Sequence, residues 1–156
     1  VINSLAIQDA FERADIDARV MTAVPIEAFA EFYSRNKAVS HLNRGKVTIF
    51  GCGMGNPFFS TDTAAVLRGA EIGADVVLMA KNIDAIYTDD PRKNPDAKKL
   101  SEVDYDYILK NHLSAIDTCA ASFAMDNHMK LHIFGLDDSE NIYRVIMGEK
   151  IGTIVD

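Results

Sequence analysis

Residues 46 to 80 carry the alternation that most limits the folds open to this chain. The apolar run KVTIF at 46–50 is typical of a buried strand, and the glycine-rich segment GCGMGNPFFS follows it. The helical pattern TDTAAVLRGAEI at 61–72 stops at Gly73, and a second apolar run, DVVLMA, occupies 75–80. A strand, a loop, a helix and a second strand in this order indicate parallel pairing through a crossover helix.

The rest of the sequence continues the alternation. Further helices are predicted at 3–14, 26–42 with an interruption near Ser34, 104–111, 114–127 and 139–148, and further strands at 19–24, 130–136 and 152–155. The expected helix caps are Ser60 or Thr61 and Ser139, and the expected terminators are Gly45, Gly73 and Gly148. The charged segment 88–100, with two prolines, is predicted to be an exposed loop or hairpin arm. The predicted fold is a single α/β domain over 1–156, a three-layer sandwich with a mostly parallel sheet.

Composition excludes several classes of protein. The 156 residues are 48% hydrophobic and carry a net charge of -7, which argues against a surface for non-specific binding of nucleic acid or anionic membranes. No apolar run approaches the roughly 20 residues of a membrane span, and the first residues lack a basic signal-peptide segment, so a cytoplasmic location is expected. Cys52 and Cys119 are expected to be reduced thiols. His128 and His132 have no further ligand nearby, so no metal site is predicted.

The segment at 51–65 follows a predicted buried strand and precedes a helix. Glycines there let a ligand approach the backbone, and the helix start offers unpaired N–H groups to an anion. Asn56, Ser60 and Thr61 add polar groups, while Phe58 and Phe59 form either an apolar wall beside a base or part of the core. A flexible turn that binds nothing is the alternative. Neither the Walker A loop nor the dinucleotide-binding glycine pattern is present.

A second candidate segment is MAKNIDAIYTDDP at 79–91. Lys81 and Asn82 are expected just past a strand, so this loop should open on the same sheet edge as the glycine loop. Tyr87 either stacks on a purine or packs beneath the loop, and Asp90 either binds a ribose hydroxyl or caps a turn. Lys81 either neutralises charge during phosphoryl transfer or is merely solvated.

The run GNPFFSTDTAAVLRGAEIGADVVLMAKNIDAIYTDDPRKNPDA resembles the bacterial uridylate (UMP) kinases of the amino-acid-kinase superfamily. The similarity continues in AIDTCAASFAMDN and RVIMGEKIGT and reaches back to VINSLAIQDAFERADIDARVMTAVP, so it covers essentially the whole chain. The resemblance implies transfer of the γ-phosphoryl group of ATP to UMP with Mg²⁺. It also implies a homo-hexamer regulated by GTP and UTP.

Site residues follow from the resemblance by position. The segment implied to bind UMP comprises Met54, Gly55, Asn56, Pro57, Phe58, Phe59, Ser60 and Thr61. Asp62 matches an acid that organises the active-site lysines and the transferred group. The residues implied on the ATP side are Lys81, Asn82, Tyr87 and Asp90, with Lys81 also catalytic. Asp117 matches an acid of the family's "MD" segment, and Arg19 and Lys46 match basic positions linked to GTP regulation.

The sequence departs from the family at several points. Met54 replaces the usual Thr, Ala85 replaces Gly, Gly135 replaces Asn, and the loop at 81–87 is one residue shorter than in sequences that share "MAKN". The first residues match the interior of the family, past two phosphate-gripping glycine loops. The chain is therefore expected to correspond to the carboxyl-terminal two-thirds of a UMP kinase and to be inactive alone. The alternatives are another kinase of the superfamily, such as one for acetylglutamate, aspartate or carbamate, and a non-catalytic nucleotide-binding or oligomer-forming protein.

Overall fold

The structure, a computed structural model, describes all residues from Val1 to Asp156. The chain divides into two compact units, Val1–Ala64 and Ala65–Asp156. The helices are α1 Ile2–Arg13, α2 Arg35–Asn43, α3 Thr61–Ile72, α4 Tyr105–Lys110, α5 Thr118–Asp126 and α6 Glu140–Ile146. The strands are β1 Ala18–Thr22, β2 Glu31–Phe32, β3 Val47–Gly51, β4 Val77–Lys81, β5 Ile86–Tyr87, β6 Lys99–Leu100, β7 Glu102–Val103, β8 Leu131–Gly135 and β9 Thr153–Val155.

The first unit is built on three parallel strands in the order β2-β1-β3. Ala18 of β1 pairs with Val47 of β3, and Met21 lies between Phe50 on one side and Glu31 on the other. Ala18 and Met21 are fully buried, and α1 packs against β1 and β3. A strand with neighbours on both edges and a helix over it loses its contact with water, which is why β1 supplies the core of this unit.

Strand β2 and the shorter helix α2 replace the long helix predicted over 26–42. The prediction was wrong before Ser34, because the backbone there turns and then pairs with β1 at Met21. The interruption at Ser34 is confirmed: its extended backbone and its hydroxyl, which accepts the Lys37 N–H at 3.4 Å, start α2. Gly45 ends the turn after α2 with φ +75°, as predicted.

The second unit contains a four-stranded sheet in the order β4-β8-β9-β7. β4 runs parallel to β8, with Lys81 opposite Gly135, and β7 runs parallel to β9. β9 runs antiparallel to β8, and β5 pairs antiparallel with β6 in a separate hairpin that carries the charged segment predicted as an arm. The α/β class with mostly parallel strands is confirmed, although the strands are distributed over three hydrogen-bonded sheets.

Helices α4 and α5 pack together beside the sheet of the second unit. Three alanines of α5, Ala120, Ala121 and Ala124, are fully buried, so the helix backbone lies close to its neighbours. The N–H of Ala120 donates to the Asp117 carboxylate at 3.0 Å, which starts the helix. The shared core also includes the following strand residues: Met79, Ile86, Leu131, Ile133 and Val155.

The observed helix starts confirm one predicted cap and contradict another. α3 spans 61–72 as predicted, and Ser60 is its cap, because its hydroxyl accepts the Thr63 N–H at 3.1 Å. Ser139 makes no cap hydrogen bond at α6, so that prediction was wrong. The neighbouring Asp138 carboxylate accepts the Glu140 N–H at 2.9 Å instead. None of the six helices combines the length and apolar character that crossing a membrane requires.

Candidate functional site

The glycine loop of the first unit leaves β3 through several left-handed residues. Cys52, Gly53, Gly55 and Phe58 all have positive φ, between +57° and +74°. At Gly55 a Cβ atom would lie 2.9 Å from the Ala23 carbonyl oxygen, so the position requires glycine for space as well as for backbone conformation. The loop is therefore folded tightly against the backbone that follows β1.

The side chains of this loop are largely directed to solvent. Phe58 is fully exposed and Phe59 is 51% exposed, so the alternative that they belong to the core is wrong. Asn56 makes one long hydrogen bond, from its Nδ2 to the Met54 carbonyl oxygen at 3.5 Å. The predicted wall of two aromatic rings and an amide is thus accessible to a ligand.

The helix start beyond the loop combines capping with negative charge. The Ser60 hydroxyl is engaged as the α3 cap, which assigns it a structural role. Asp62 lies in the first turn of α3, where the helix dipole favours an acid.

The second unit contains a cleft of about 870 Å³, and all four residues predicted for the ATP side line it: Lys81, Asn82, Tyr87 and Asp90. Three segments form the cleft, 81–93, 111–115 and 135–137. Ligand pockets for small molecules commonly enclose about 300 to 1,000 Å³, so a nucleotide fits this size range. The segments 111–115 and 135–137 were missed from the sequence.

Lys81 is the last residue of β4 rather than the first residue of the loop, a small correction to its predicted place. Its Nζ donates to the Ala115 carbonyl oxygen at 2.7 Å. This bond holds the ammonium group at the cleft, between a strand end and the 111–115 segment. The protein therefore orients this side chain, and its role in neutralising charge during phosphoryl transfer stays a prediction.

Tyr87 is held by a carboxylate three residues before it. Its hydroxyl lies 3.1 and 3.2 Å from the two carboxylate oxygens of Asp84, and Lys99 Nζ donates to the same carboxylate at 2.9 Å. Burial raises the pKa of Tyr87, and the hydrogen bond to Asp84 and its charge raise it further. Burial alone would raise the pKa of Asp84, but the bonds from Lys99 and Tyr87 outweigh it and hold that pKa below its usual value.

Asp90 organises the turn that follows. Its carboxylate accepts the Arg92 N–H at 3.0 Å, and Lys93 Nζ lies 3.6 Å from a carboxylate oxygen. Its backbone oxygen accepts the N–H groups of Lys93 and Asn94. Asp90 thus caps a turn in the protein without a ligand, which was one of the two roles predicted for it. Asp90 also lines the cleft.

Gly135 lies close to the loop that contains Ala85 in the cleft. Ala85 is buried, with a backbone that needs no positive φ. At Gly135 a Cβ atom would lie 2.6 Å from Asp137 Oδ1 and 3.2 Å from the Asp84 Cα. A side chain at Gly135 would therefore require the Asp137 carboxylate to move and the backbone at Asp84 to shift from the end of β8.

The sequence did offer a signal for Gly135, because this residue lies near the end of the strand predicted at 130–136 and parallel strands end at a shared edge. Gly135 is opposite Lys81 in the parallel pair β4·β8, so both strands end at the same edge. The segment 111–115 carries no comparable signal. Ala115 reaches the site across 34 positions of sequence, through the hydrogen bond from Lys81.

Three further residues implied by the resemblance have structural partners. Arg19 and Lys46 both bond to the Asp17 carboxylate, at 2.7 and 2.6 Å. These bonds, chiefly the one from Lys46, lower the pKa of Asp17. Asp117 is the α5 cap described above.

Metal ligands are not clustered in the protein itself. No group of three or more His, Cys, Asp or Glu side chains is close enough to hold an ion. The carboxylates of Asp90 and Asp137 do line the cleft. Mg²⁺ in nucleotide sites is usually held by one or two carboxylates together with phosphate oxygens and waters, and this donor set fits that mode.

This chain is similar to known kinases both in sequence and in structure. The family model described as "Amino acid kinase family" matches residues 1–135. The UMP kinase of Bacillus anthracis is similar with 35% identity and a TM-score of 0.94, over 99% of this chain and 64% of that one. The UMP kinase of Ureaplasma parvum has 30% identity and a TM-score of 0.92, over 99% and 66%.

A more distant solved structure is the uridylate kinase of Archaeoglobus fulgidus. It has 26% identity and a TM-score of 0.62, over 77% of this chain and 57% of that one. The chain thus spans 64 to 66% of the length of the two bacterial UMP kinases that it matches. With a family model that matches 135 of its residues, the chain belongs to the amino acid kinase family.

Proposed function

We propose that the protein to which this chain belongs is a UMP kinase, which transfers the γ-phosphoryl group of ATP to UMP and yields UDP and ADP. The observation that carries the proposal is the match to two UMP kinase structures over 99% of the chain, at 30 and 35% identity. At this identity and coverage, a shared fold and a shared reaction class are expected together. The proposal concerns the whole protein, since the relatives are longer than this chain.

We assign the glycine loop to the acceptor. Its exposed Asn56, Phe58 and Phe59 offer an amide and two aromatic faces to UMP, and the start of α3 offers N–H groups to the UMP phosphate. Ser60 and Thr61 both offer hydroxyl donors to the phosphate, since accepting the Thr63 N–H does not use the Ser60 proton. Met54 in place of Thr removes one further hydroxyl from this loop.

We assign the cleft of the second unit to ATP. Lys81 is held by Ala115, and its ammonium group is suited to neutralise the charge that develops on the transferred phosphoryl group. Tyr87 offers its ring to the base, and Asp90 offers an acceptor to the ribose. Carboxylates of the cleft such as Asp137 would hold a magnesium ion that accompanies the nucleotide, and the ion would neutralise phosphate charge.

The reaction needs little covalent chemistry from the protein. The attacking oxygen of UMP is already an anion at neutral pH, so no general base is required. What remains is to align the two phosphates and to stabilise charge, for which Lys81 and Asp62 are the proposed residues. Asp62, in the first turn of α3, orders the active-site lysines in this scheme.

We further propose the regulatory and cellular properties that the resemblance implies. These are a homo-hexamer in the cytoplasm, activated or inhibited by GTP and UTP, with Arg19 and Lys46 at the GTP-responsive position. Their shared partner Asp17 offers a mechanism, because an anionic nucleotide would compete with this carboxylate for the two cations.

The test is an ADP-release assay of the full-length protein with UMP, CMP, acetylglutamate or no acceptor. UMP-dependent turnover well above the other three supports the proposal. Turnover with acetylglutamate would assign another reaction of the family, and ATP binding without any transfer would indicate a non-catalytic nucleotide-binding protein.

A matched pair of variants tests the site. Lys81→Met should lower kcat by about 100-fold or more, because a fixed charge near the transferred group is lost. Lys110→Met makes the same change in an exposed ion pair with Asp106 outside the cleft, and its activity should stay within twofold of wild type. Equal activity of the two variants would contradict the assignment of Lys81.

A further inference from the structure

We propose that Asp84 is a positioning residue that fixes the ring of Tyr87 at the wall of the ATP cleft, an inference that rests on the function proposed above. The resemblance to the UMP kinases assigns no role to Asp84. The proposal stands on the hydrogen bonds, strand register and charges around this carboxylate.

The carboxylate of Asp84 joins two side chains that come from opposite strands of a hairpin. Tyr87 and Lys99 are direct partners in the β5·β6 register, and residues opposite each other in an antiparallel pair project from the same face. Asp84 receives the Tyr87 hydroxyl at 3.1 and 3.2 Å and the Lys99 ammonium at 2.9 Å. One carboxylate thereby holds both side chains on the face that it contacts.

The protonation states of Asp84 and Tyr87 decide which of them donates their hydrogen bond and which accepts it. The pKa of Asp84 is lowered and that of Tyr87 is raised, so at neutral pH a charged carboxylate faces a protonated phenol. The single proton of the Tyr87 hydroxyl is then committed to Asp84. What Tyr87 offers to a nucleotide is consequently its ring rather than its hydroxyl donor.

The backbone of Asp84 is also fixed. A Cβ atom at Gly135 would lie 3.2 Å from the Asp84 Cα, so the loop rests closely on the end of β8. Two residues further on, the Ile86 N–H is bonded to the buried Thr153 hydroxyl at 2.8 Å. Asp84 therefore connects the Tyr87 side chain to a backbone that is held on two sides.

Stacking on a base depends on the orientation of the ring, so loss of this support should weaken ATP binding while chemistry is spared. We expect Asp84→Ala to raise the Kd and KM for MgATP about three- to tenfold, the range expected for the net contribution of one ordinary hydrogen bond, because these bonds are exposed to solvent. The kcat and the KM for UMP should stay within twofold of wild type. Lys99→Met should act in the same direction, and Lys99→Arg should restore affinity.

The decisive experiment is a double-mutant cycle with Tyr87→Phe, measured by calorimetric titration of MgATP into the full-length protein. If Asp84 acts through the Tyr87 hydroxyl, Asp84→Ala adds less than twofold to the effect of Tyr87→Phe. The ring Cζ resonance of Tyr87, assigned by its loss in Tyr87→Phe, should shift in Asp84→Ala. Asp106→Ala removes an exposed carboxylate of another ion pair and should change neither readout.

Each unfavourable result has a defined meaning. Wild-type affinity in Asp84→Ala, multiplicative effects in the cycle, or equal weakening of ATP and UMP would overturn the role of Asp84. A wild-type protein that binds no MgATP would overturn it as well. If the protein binds MgATP but transfers nothing to UMP, the proposed function fails, and the binding cycle still decides the role of Asp84.

Discussion

The hydroxyl of Thr153 offers a sharp test of how the β5–β6 hairpin is attached to the second unit. It accepts the Ile86 N–H at 2.8 Å and donates to the Leu100 carbonyl oxygen at 2.5 Å, so it bridges the two strands of the hairpin. Thr153 is 0% exposed and Ile86 1% exposed. Water therefore cannot replace this hydroxyl without a rearrangement of the core.

Thr153→Val keeps the shape of the side chain and removes only the hydroxyl. Each of the two bonds contributes about 0.5–1.5 kcal/mol, and a buried donor left without a partner costs about 1–3 kcal/mol. We expect the free energy of unfolding to fall by about 2–4 kcal/mol. For a chain of this size, that corresponds to a fall in Tm of roughly 5–12 °C.

Thr48→Val is the matched control, because the Thr48 hydroxyl is buried and has no hydrogen-bond partner. Its removal should leave stability within about 0.5 kcal/mol of wild type or increase it, since an unpaired buried hydroxyl is unfavourable. The measurement is thermal and urea unfolding of both variants, with hydrogen exchange at the Ile86 amide. Equal stability of the two variants, or an unchanged Ile86 exchange rate in Thr153→Val, would refute the reasoning.

Three further predictions concern the site. Asn56→Ala should raise the KM for UMP more than that for ATP, and steady-state kinetics showing the opposite order would reverse the assignment of the two loops. Asp62→Asn should lower kcat far more than UMP affinity; an unchanged kcat would remove Asp62 from the site. Gly135→Ala should lower the free energy of unfolding by about 1–3 kcal/mol and weaken ATP binding, because its methyl group would meet Asp137 and the Asp84 backbone. Unfolding and calorimetry check it, and wild-type values in both would contradict the close approach.

Local signals in the sequence predicted most elements closely. Helix α3 spans the predicted 61–72 because its start has a hydroxyl cap at Ser60 and its end has Gly73 at φ +69°. The hairpin arm at 88–100 was also predicted, from its charges and prolines. The helix expected before Ser34 failed, because pairing with β1 stabilises an extended segment that its composition does not favour.

The candidate site was predictable where its residues lie next to one another in sequence. Lys81, Asn82, Tyr87 and Asp90 lie within ten consecutive residues, and the structure brings all four to one cleft. The proximity of this loop to the glycine loop stays a prediction. β3 and β4 pair in different sheets, so a shared sheet edge does not follow from the strand pairing.

The sequence by itself determined the alternation of strands and helices, the glycine loop and the loop at 81–90, because these depend on periodicity, caps and turns within a few residues of one another. Only the tertiary structure decided that Lys81 bonds to Ala115, that Gly135 leaves room for Asp84, and that Asp84 holds Tyr87 and Lys99 together. Contacts of this kind join residues as many as 67 positions apart, as between Ile86 and Thr153. They arise from the packing of whole strands, which no local pattern specifies.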